Sequence, residues 1–192
     1  MVTVLIDNCA WDRLWQRNVH LPDEQGLDLR FSVSSFGLIE IPSGEHPSEK
    51  ARAVGAYARE QLAFLEAEQV VWFGFQDEGK SNSRVGGFGD LQPDGTVLGG
   101  GFLTSVEGRD YRQTNESRIG GETGSKVKKS GLLSNETDVD YGEWSFGLPV
   151  VTMNVKDFKG AGTIIDLEKW HDGSFGDFVR ACLVHKLQVD DT

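Results

Sequence analysis

The stretch Val150-Val151-Thr152-Met153-Asn154-Val155-Lys156-Asp157-Phe158 constrains the fold more than any other part of the chain. Val150 and Val151 are adjacent, apolar and β-branched, which suits a strand covered on both faces. The chain turns polar immediately afterwards, at Thr152, Asn154 and Asp157. A parallel strand buried on both faces needs helices above and below it, and open sheets of this kind bind ligands beyond the carboxyl ends of their strands. The polar residues therefore mark the edge where a site is expected. What remains is to find the other polar groups that arrive there.

The rest of the chain alternates in the manner such a sheet requires. Val2 to Ile6 reads as a buried strand ended by Asp7, with Asn8 as the cap of a helix to about Asn18 whose Trp11, Leu14, Trp15 and Val19 recur at helical spacing. Leu21 to Gly26, with Pro22, reads as loop. Leu29 to Val33 is a second strand, and Ser34 or Ser35 caps a short helix carrying Leu38, Ile39 and Glu40 before Pro42 stops it. Ser48 to Glu68 is the longest helix, with Val54, Tyr57, Ala58, Leu62 and Leu65 as its stripe. Val70 to Phe75 is a third strand, in the main sheet or in a hairpin. Glu116 to Gly131 reads as a weak helix with Lys126, Lys128 and Lys129 outward. Asn135 to Phe146 and Phe175 to Lys186 are the last helices, and Thr163 to Ile165 the last strand. Strands alternating with helices imply an α/β class with a mostly parallel central sheet. The chain reads as a single domain, 1–192, interrupted at about 79–108 by a glycine-rich hairpin or flap around the turn Gln92-Pro93-Asp94-Gly95.

Composition narrows the functions. Thirty acids against 19 bases leave a net charge of −11, which argues against broad binding to a nucleic-acid backbone through a basic face. An enzyme that meets phosphate through a metal ion is not excluded by that balance. Cys9 and Cys182 are far apart and no secretory leader precedes them, so reduced thiols and a cytoplasmic location are expected. No window approaches the roughly 20 apolar residues of a membrane span.

Acids and amides fall at four places where strand ends converge: Asp7; Glu40; Glu136, Asp138 and Asp140; and Asn154 with Asp157. Glu136 and Asp140 are four apart and share a helical face, where like charges repel unless a cation lies between them. Carboxylates with few nearby histidines or thiols suit Mg²⁺ or Mn²⁺ rather than zinc. Two such ions can bind a phosphodiester, generate hydroxide and stabilise the leaving oxygen without a protein nucleophile.

Val150 through Gly162 resembles the late "V-T-x-N-x-x-D-F-x-G-x-G" motif of PIN-domain proteins, especially the ribonuclease toxins of type II toxin–antitoxin pairs. Val4-Leu5-Ile6-Asp7 is similar to that family's first strand and its Asp, Ser34 through Glu40 to the short helix that delivers its Glu, and Asn135-Glu136 stands where the family usually has Asn-Asp. The spaced matches run from residue 2 to about 166. The resemblance implies a PIN-like three-layer α/β/α domain and a Mg²⁺- or Mn²⁺-dependent endoribonuclease. It implies Asp7 as central metal ligand, Glu40 as a ligand directly or through water, and Glu136 and Asp140 completing the site. Asn154 would hold the metal shell or substrate, Thr152 would orient a carboxylate, and Asp157 would cap the turn before Phe158. RNA as substrate, an antitoxin protein and a homodimer are the partners it implies, and no membrane. The chain departs from the family's pattern in having Glu136 for Asp, Asn8-Cys9 after the first Asp, and the glycine-rich insertion.

Two other readings compete. A catalytically degenerate PIN-like binding or regulatory module fits the Glu136 replacement and the net charge. A haloacid-dehalogenase-like phosphatase requires Asp two positions after the first one, where Cys9 stands. Arg52, Arg59, Arg109, Arg112, Arg118, Lys126, Lys128 and Lys129 are the cations from which an RNA path would be built, and the flap, with Arg84 at its base, is the expected substrate- or partner-contacting element.

Overall fold

A computed structural model describes residues 1–67, 69–74, 84–93, 95, 97–98 and 100–189. Val2–Ile6 forms β1 and Ala10–Gln16 forms α1. Leu21–Gln25 is a short helix, α2, rather than the loop expected. Pro22 sits in its first turn, where a fixed φ and a missing N–H cost nothing, and Gly26 ends it at φ 62°. Leu29–Ser32 is β2, Ser35–Glu40 is α3 and Glu49–Phe64 is α4. Both latter helices start on serine caps: Ser34 Oγ accepts from Gly37 N at 3.1 Å, and Ser48 Oγ from Ala51 N at 3.3 Å.

Between α4 and the next long helix lie four two-residue strands, β3 (Trp72–Phe73), β4 (Val85–Gly86), β5 (Asp90–Leu91) and β6 (Val97–Leu98). β3 pairs in parallel with β4, not with the main sheet; only Val70, bridged to Ser34, briefly extends the sheet beyond β2. β5 and β6 form an antiparallel pair closed by Gly95 N on Gln92 O at 3.0 Å. Phe75, residues 79–83, Asp94, Thr96 and Gly99 of the expected strand and flap lie outside the described residues, as does Glu68 at the end of the expected long helix.

Val106–Asn115 forms α5, Glu136–Trp144 α6, Val150–Thr152 β7, Ile164–Asp166 β8 and Phe175–Val189 α7. The helix expected over 116–131 is absent. Ser105 caps its own helix upstream, and the chain after Asn115 breaks into two 3₁₀ turns because Gly120, Gly121 and Gly124 all take positive φ. The lysines then ride on a hairpin arm, bridged Val127 to Leu133, whose turn closes Gly131 N on Lys128 O at 3.0 Å with Gly131 at φ 86°.

The main sheet is parallel, in the order β2-β1-β7-β8. Its period-2 alternation feeds a core on each face. Val4, Ile6, Val151 and Ile165 pack against Trp11, Leu14, Ala58, Leu62, Phe175 and Val179 of α1, α4 and α7. Leu5 and Val150 face the other way, onto Tyr141 and Trp144 of α6 and Trp72 of β3. Full burial of each such aliphatic side chain contributes about 1.5–3 kcal/mol, so both layers are needed to hold the sheet. Among the described residues no helix is long and apolar enough to cross a membrane.

Candidate functional site

The register of β1 against β7 decides what meets at the carboxyl edge. Leu5 lies opposite Val150 and Ile6 opposite Val151, and the ladder runs one bond further, from Asp7 N to Val151 O at 3.0 Å. That places the Asp7 side chain beside Thr152. Thr152 Oγ1 donates to Asp7 Oδ2 at 2.7 Å, the Cys9 thiol donates to the same oxygen at 2.9 Å, and Asn8 N donates to Oδ1 at 2.7 Å. Asp7 is only 5% exposed. Burial pushes its carboxyl above the ordinary range, the three donors hold it back, and Glu40 adds to the rise. Cys9 is exposed at its outer edge, yet its sulfur turns inward, where burial and the Asp7 carboxylate push the thiol up to about 12. It therefore acts here as a neutral hydrogen-bond donor, not as a nucleophile.

Asn8 does not cap α1; the cap position is Cys9, without a side-chain bond to the helix. Asn8 instead reaches across to α3, its Nδ2 donating to Glu40 Oε2 at 3.3 Å, while its Oδ1 is buried without a partner. Glu40 accepts a second bond on Oε1, from the Lys128 ammonium at 2.6 Å. Lys128 comes from the hairpin arm, 88 positions along the chain.

The acids of α6 divide between two faces. Residues two apart on a helix point about 200° apart, so Asp138 and Asp140 diverge. Asp140 is fully buried on the far side. Its Oδ1 accepts from Trp72 Nε1 at 3.0 Å and from Arg84 Nη2 at 2.9 Å, and its Oδ2 from Trp144 Nε1 at 3.2 Å. Glu136, on that same face, turns back to accept from Leu133 N at 2.8 Å and tethers the end of the hairpin arm. Asp138 is the residue that senses Asp7. Burial first, then the charges of Asp7, Asp157 and Glu40, raise it to about 6, with Lys128 opposing. Glu136 and Asp140, expected together from their four-residue spacing, are thus bound to different partners, Leu133 N for one and Trp72, Trp144 and Arg84 for the other. The available signal was Tyr141: fully buried, it donates from its hydroxyl to Ile6 O at 2.8 Å, and Asp138 stands one turn before it on the same face.

Gly37 is what lets Tyr141 in. A Cβ at Gly37 would overlap the Tyr141 hydroxyl and stand 2.8 Å from Cζ. Gly37→Ala should therefore push α3, and with it Glu40, away from α6. The expected loss is about 2 kcal/mol or more, readable as a lowered urea midpoint. An unchanged midpoint would mean that the two helices do not pack this closely.

On the β7 side, Asn154 N donates to Thr152 Oγ1 at 3.0 Å, and Asn154 Nδ2 donates to the Asp157 carboxylate. Asp157 O accepts from Arg118 Nη1 at 2.9 Å. Asn154 is exposed and held by these bonds at the edge of the acidic group.

The cations considered in the sequence are largely committed. Arg52 and Arg59 donate to backbone carbonyls of residues 41–47, Arg112 stands 3.5 Å from buried Glu143, and Arg84 is turned inward rather than toward a ligand. Lys126 and Lys129 have no ion pair among the described residues.

The carboxylates of Asp7, Asp138 and Glu40 are hard oxygen donors, and this chemistry fits Mg²⁺ or Mn²⁺, although the group touching Asp7 Oδ2 includes the Cys9 thiol. Among the described residues, however, no group of three or more His, Cys, Asp or Glu side chains is placed to hold a metal ion. The cation closest to Glu40 is the chain's own Lys128. No family model matches the chain, and neither does any curated protein or solved structure.

Proposed function

We propose that the chain is a metal-dependent endoribonuclease with a PIN-like carboxylate site. The observation that carries the reading is the gathering of Asp7, Asp138, Glu40 and Asp157 around one edge of a parallel sheet, where burial first and then the neighbouring carboxylates raise Asp138 to about 6. Burying like charges together costs stability unless a cation relieves it, so the cluster is a functional candidate on physical grounds. Asp7, Asp138 and Glu40 would hold Mg²⁺ or Mn²⁺, with Glu136 and Asp140 reassigned to tethering the arm and anchoring Trp72. When bound, the ion supplies a Lewis acid for the phosphodiester and lowers the pKa of a coordinated water. Thr152, Cys9 and Asn8 N fix the Asp7 carboxylate by three donated bonds. Asn154, oriented through Thr152 and Asp157, presents its exposed amide to the strand. RNA as substrate and an antitoxin-like protein as partner belong to the same proposal.

Lys128 on Glu40 favours a second reading, a binding module whose site carries a built-in counter-ion. Calorimetric titration with Mn²⁺ separates the two. The nuclease reading expects binding that weakens as pH falls through about 6, because a proton on Asp138 then competes with the ion. No heat at pH 7.5 favours the module. Asp138→Asn adds an independent check. An acid raised above its unfolded value destabilises the fold once ionised, so this cost appears between about pH 4 and 6 and persists above. The variant should be more stable than the native protein at pH 7.5, by roughly 1–2 kcal/mol after allowing for partial exposure, and indistinguishable from it at pH 4. Equal urea midpoints at both pH values would show that neither burial nor its neighbours disfavour the Asp138 charge.

A further inference from the structure

A cleft of about 430 Å³ opens beside the acidic cluster, between the end of α3 and the hairpin arm. Its floor is apolar, from Ile39, Ile41 and Pro42, its polar lining includes the Glu40 carboxylate already paired with Lys128, and its rim carries Lys128, Lys129 and Ser130. We infer that this cleft is a nucleotide subsite, taking the sugar and phosphate of the residue next to the bond presented to Asp7; this rests on the nuclease reading above.

Three features argue for a phosphate-bearing occupant. Lys129 is exposed and has no ion pair among the described residues, although the chain carries a net charge of −11 and acids are plentiful. Ser130 Oγ is buried at the rim with no hydrogen-bond partner, a donor left for a ligand to satisfy. The turn that carries both is held by Gly131 N on Lys128 O at 3.0 Å, and its end is tied to α6 through Glu136. The arm is thus braced against the element that carries Asp138. The three lysines 126, 128 and 129 make a local basic edge on an acidic protein, which answers how a polyanion would approach. The apolar floor distinguishes a nucleotide from a free anion, because ribose and base offer surface that can be buried there. Lys128 joins the cleft to the cluster, since its ammonium stands 2.6 Å from Glu40.

The test is binding of a fluorescein-labelled single-stranded RNA decamer by the full chain in EDTA, where no cleavage competes, followed by cleavage of the same RNA in Mn²⁺. Lys129→Glu should weaken binding about tenfold at low salt and flatten its dependence on salt by about one charge or more. Ser130→Ala, which leaves the charge untouched, should weaken it about fivefold. Both should raise KM for cleavage more than they lower kcat. If the native chain cleaves RNA but both rim variants bind normally, the subsite is overturned and the nuclease reading stands. If the native chain neither binds Mn²⁺ nor cleaves, the nuclease reading fails on its own evidence and the subsite falls with it. Polyglutamate displacing the decamer as well as unlabelled RNA does would overturn the nucleotide assignment in favour of an acidic protein segment.

Discussion

Arg84→Met should be the most destabilising single substitution in this protein that leaves the hydrophobic core untouched, with an expected loss of about 3–5 kcal/mol. Arg84 Nη2 stands 2.9 Å from Asp140 Oδ1 and 2.6 Å from Glu143 Oε2, and those two side chains are only 1% and 5% exposed. Methionine keeps most of the volume but removes the charge. Asp140 would retain its bonds from Trp72 Nε1 and Trp144 Nε1, while Glu143 would keep only Arg112 at 3.5 Å. Two buried carboxylates would then share one distant guanidinium, and a buried charge without its partner costs far more than the pair contributes. The same substitution should loosen β3 from α6, because Trp72 stacks on Trp144 at 3.6 Å between ring centroids within this network. Urea unfolding followed by tryptophan fluorescence reads both effects. A loss below 1 kcal/mol would mean that water reaches the network freely. Asp140→Asn is the informative companion: with one of the two acids neutralised, Arg84→Met should cost markedly less in that background.

Asp7→Asn should do the reverse, abolishing function while strengthening the fold. On the proposed reading it removes the central metal ligand, so Mn²⁺ binding should vanish and RNA cleavage should fall by about 10³-fold or more. Stability should move upward. Burial raises the Asp7 carboxyl above its ordinary value, so its ionised form costs stability that sets in as pH rises past the unfolded value. Asparagine escapes that cost, and the Thr152 hydroxyl and Cys9 thiol can each rotate to accept from its amide. The variant should therefore unfold at a higher urea concentration than the native protein at pH 7.5, with the difference closing at acid pH. Loss of stability at pH 7.5 would show that Asp7 is mainly a structural acceptor for the β1–α1 turn, and would weaken the nuclease proposal.

The strands of the main sheet were legible, to within a residue, because a two-sided parallel sheet leaves a plain trace: β-branched apolar residues within Val2–Ile6, at Val150 and Val151, and at Ile164 and Ile165. The serine cap of α3 and the polar group after β7 were legible for the same reason, that local chemistry decides them. Three features were not. Pro22 signalled loop, but at the start of a helix it is tolerated, and α2 forms. Glycine count was read as one flexible insertion, whereas Gly120, Gly121 and Gly124 break a second segment that looked helical and turn it into the lysine-bearing arm. Glu136 and Asp140 shared a face by spacing, but spacing alone does not say toward what that face turns.

By itself, the sequence determined the alternation of strand and helix, the α/β class and the arrival of Asp7, Thr152 and Asn154 at one sheet edge, because periodicity and strand order are local properties carried forward by a parallel register. Only the tertiary structure decided which acid of α6 joins Asp7. That choice is made by the rotation of the helix about its axis, set by Tyr141 passing Gly37 to reach Ile6 O and by Asp140 seated on Trp72, Trp144 and Arg84. Apart from Trp144 on the same helix, the hydrogen-bond partners that fix that rotation are separated by 56 to 135 positions, and no short window of sequence contains both sides of those contacts.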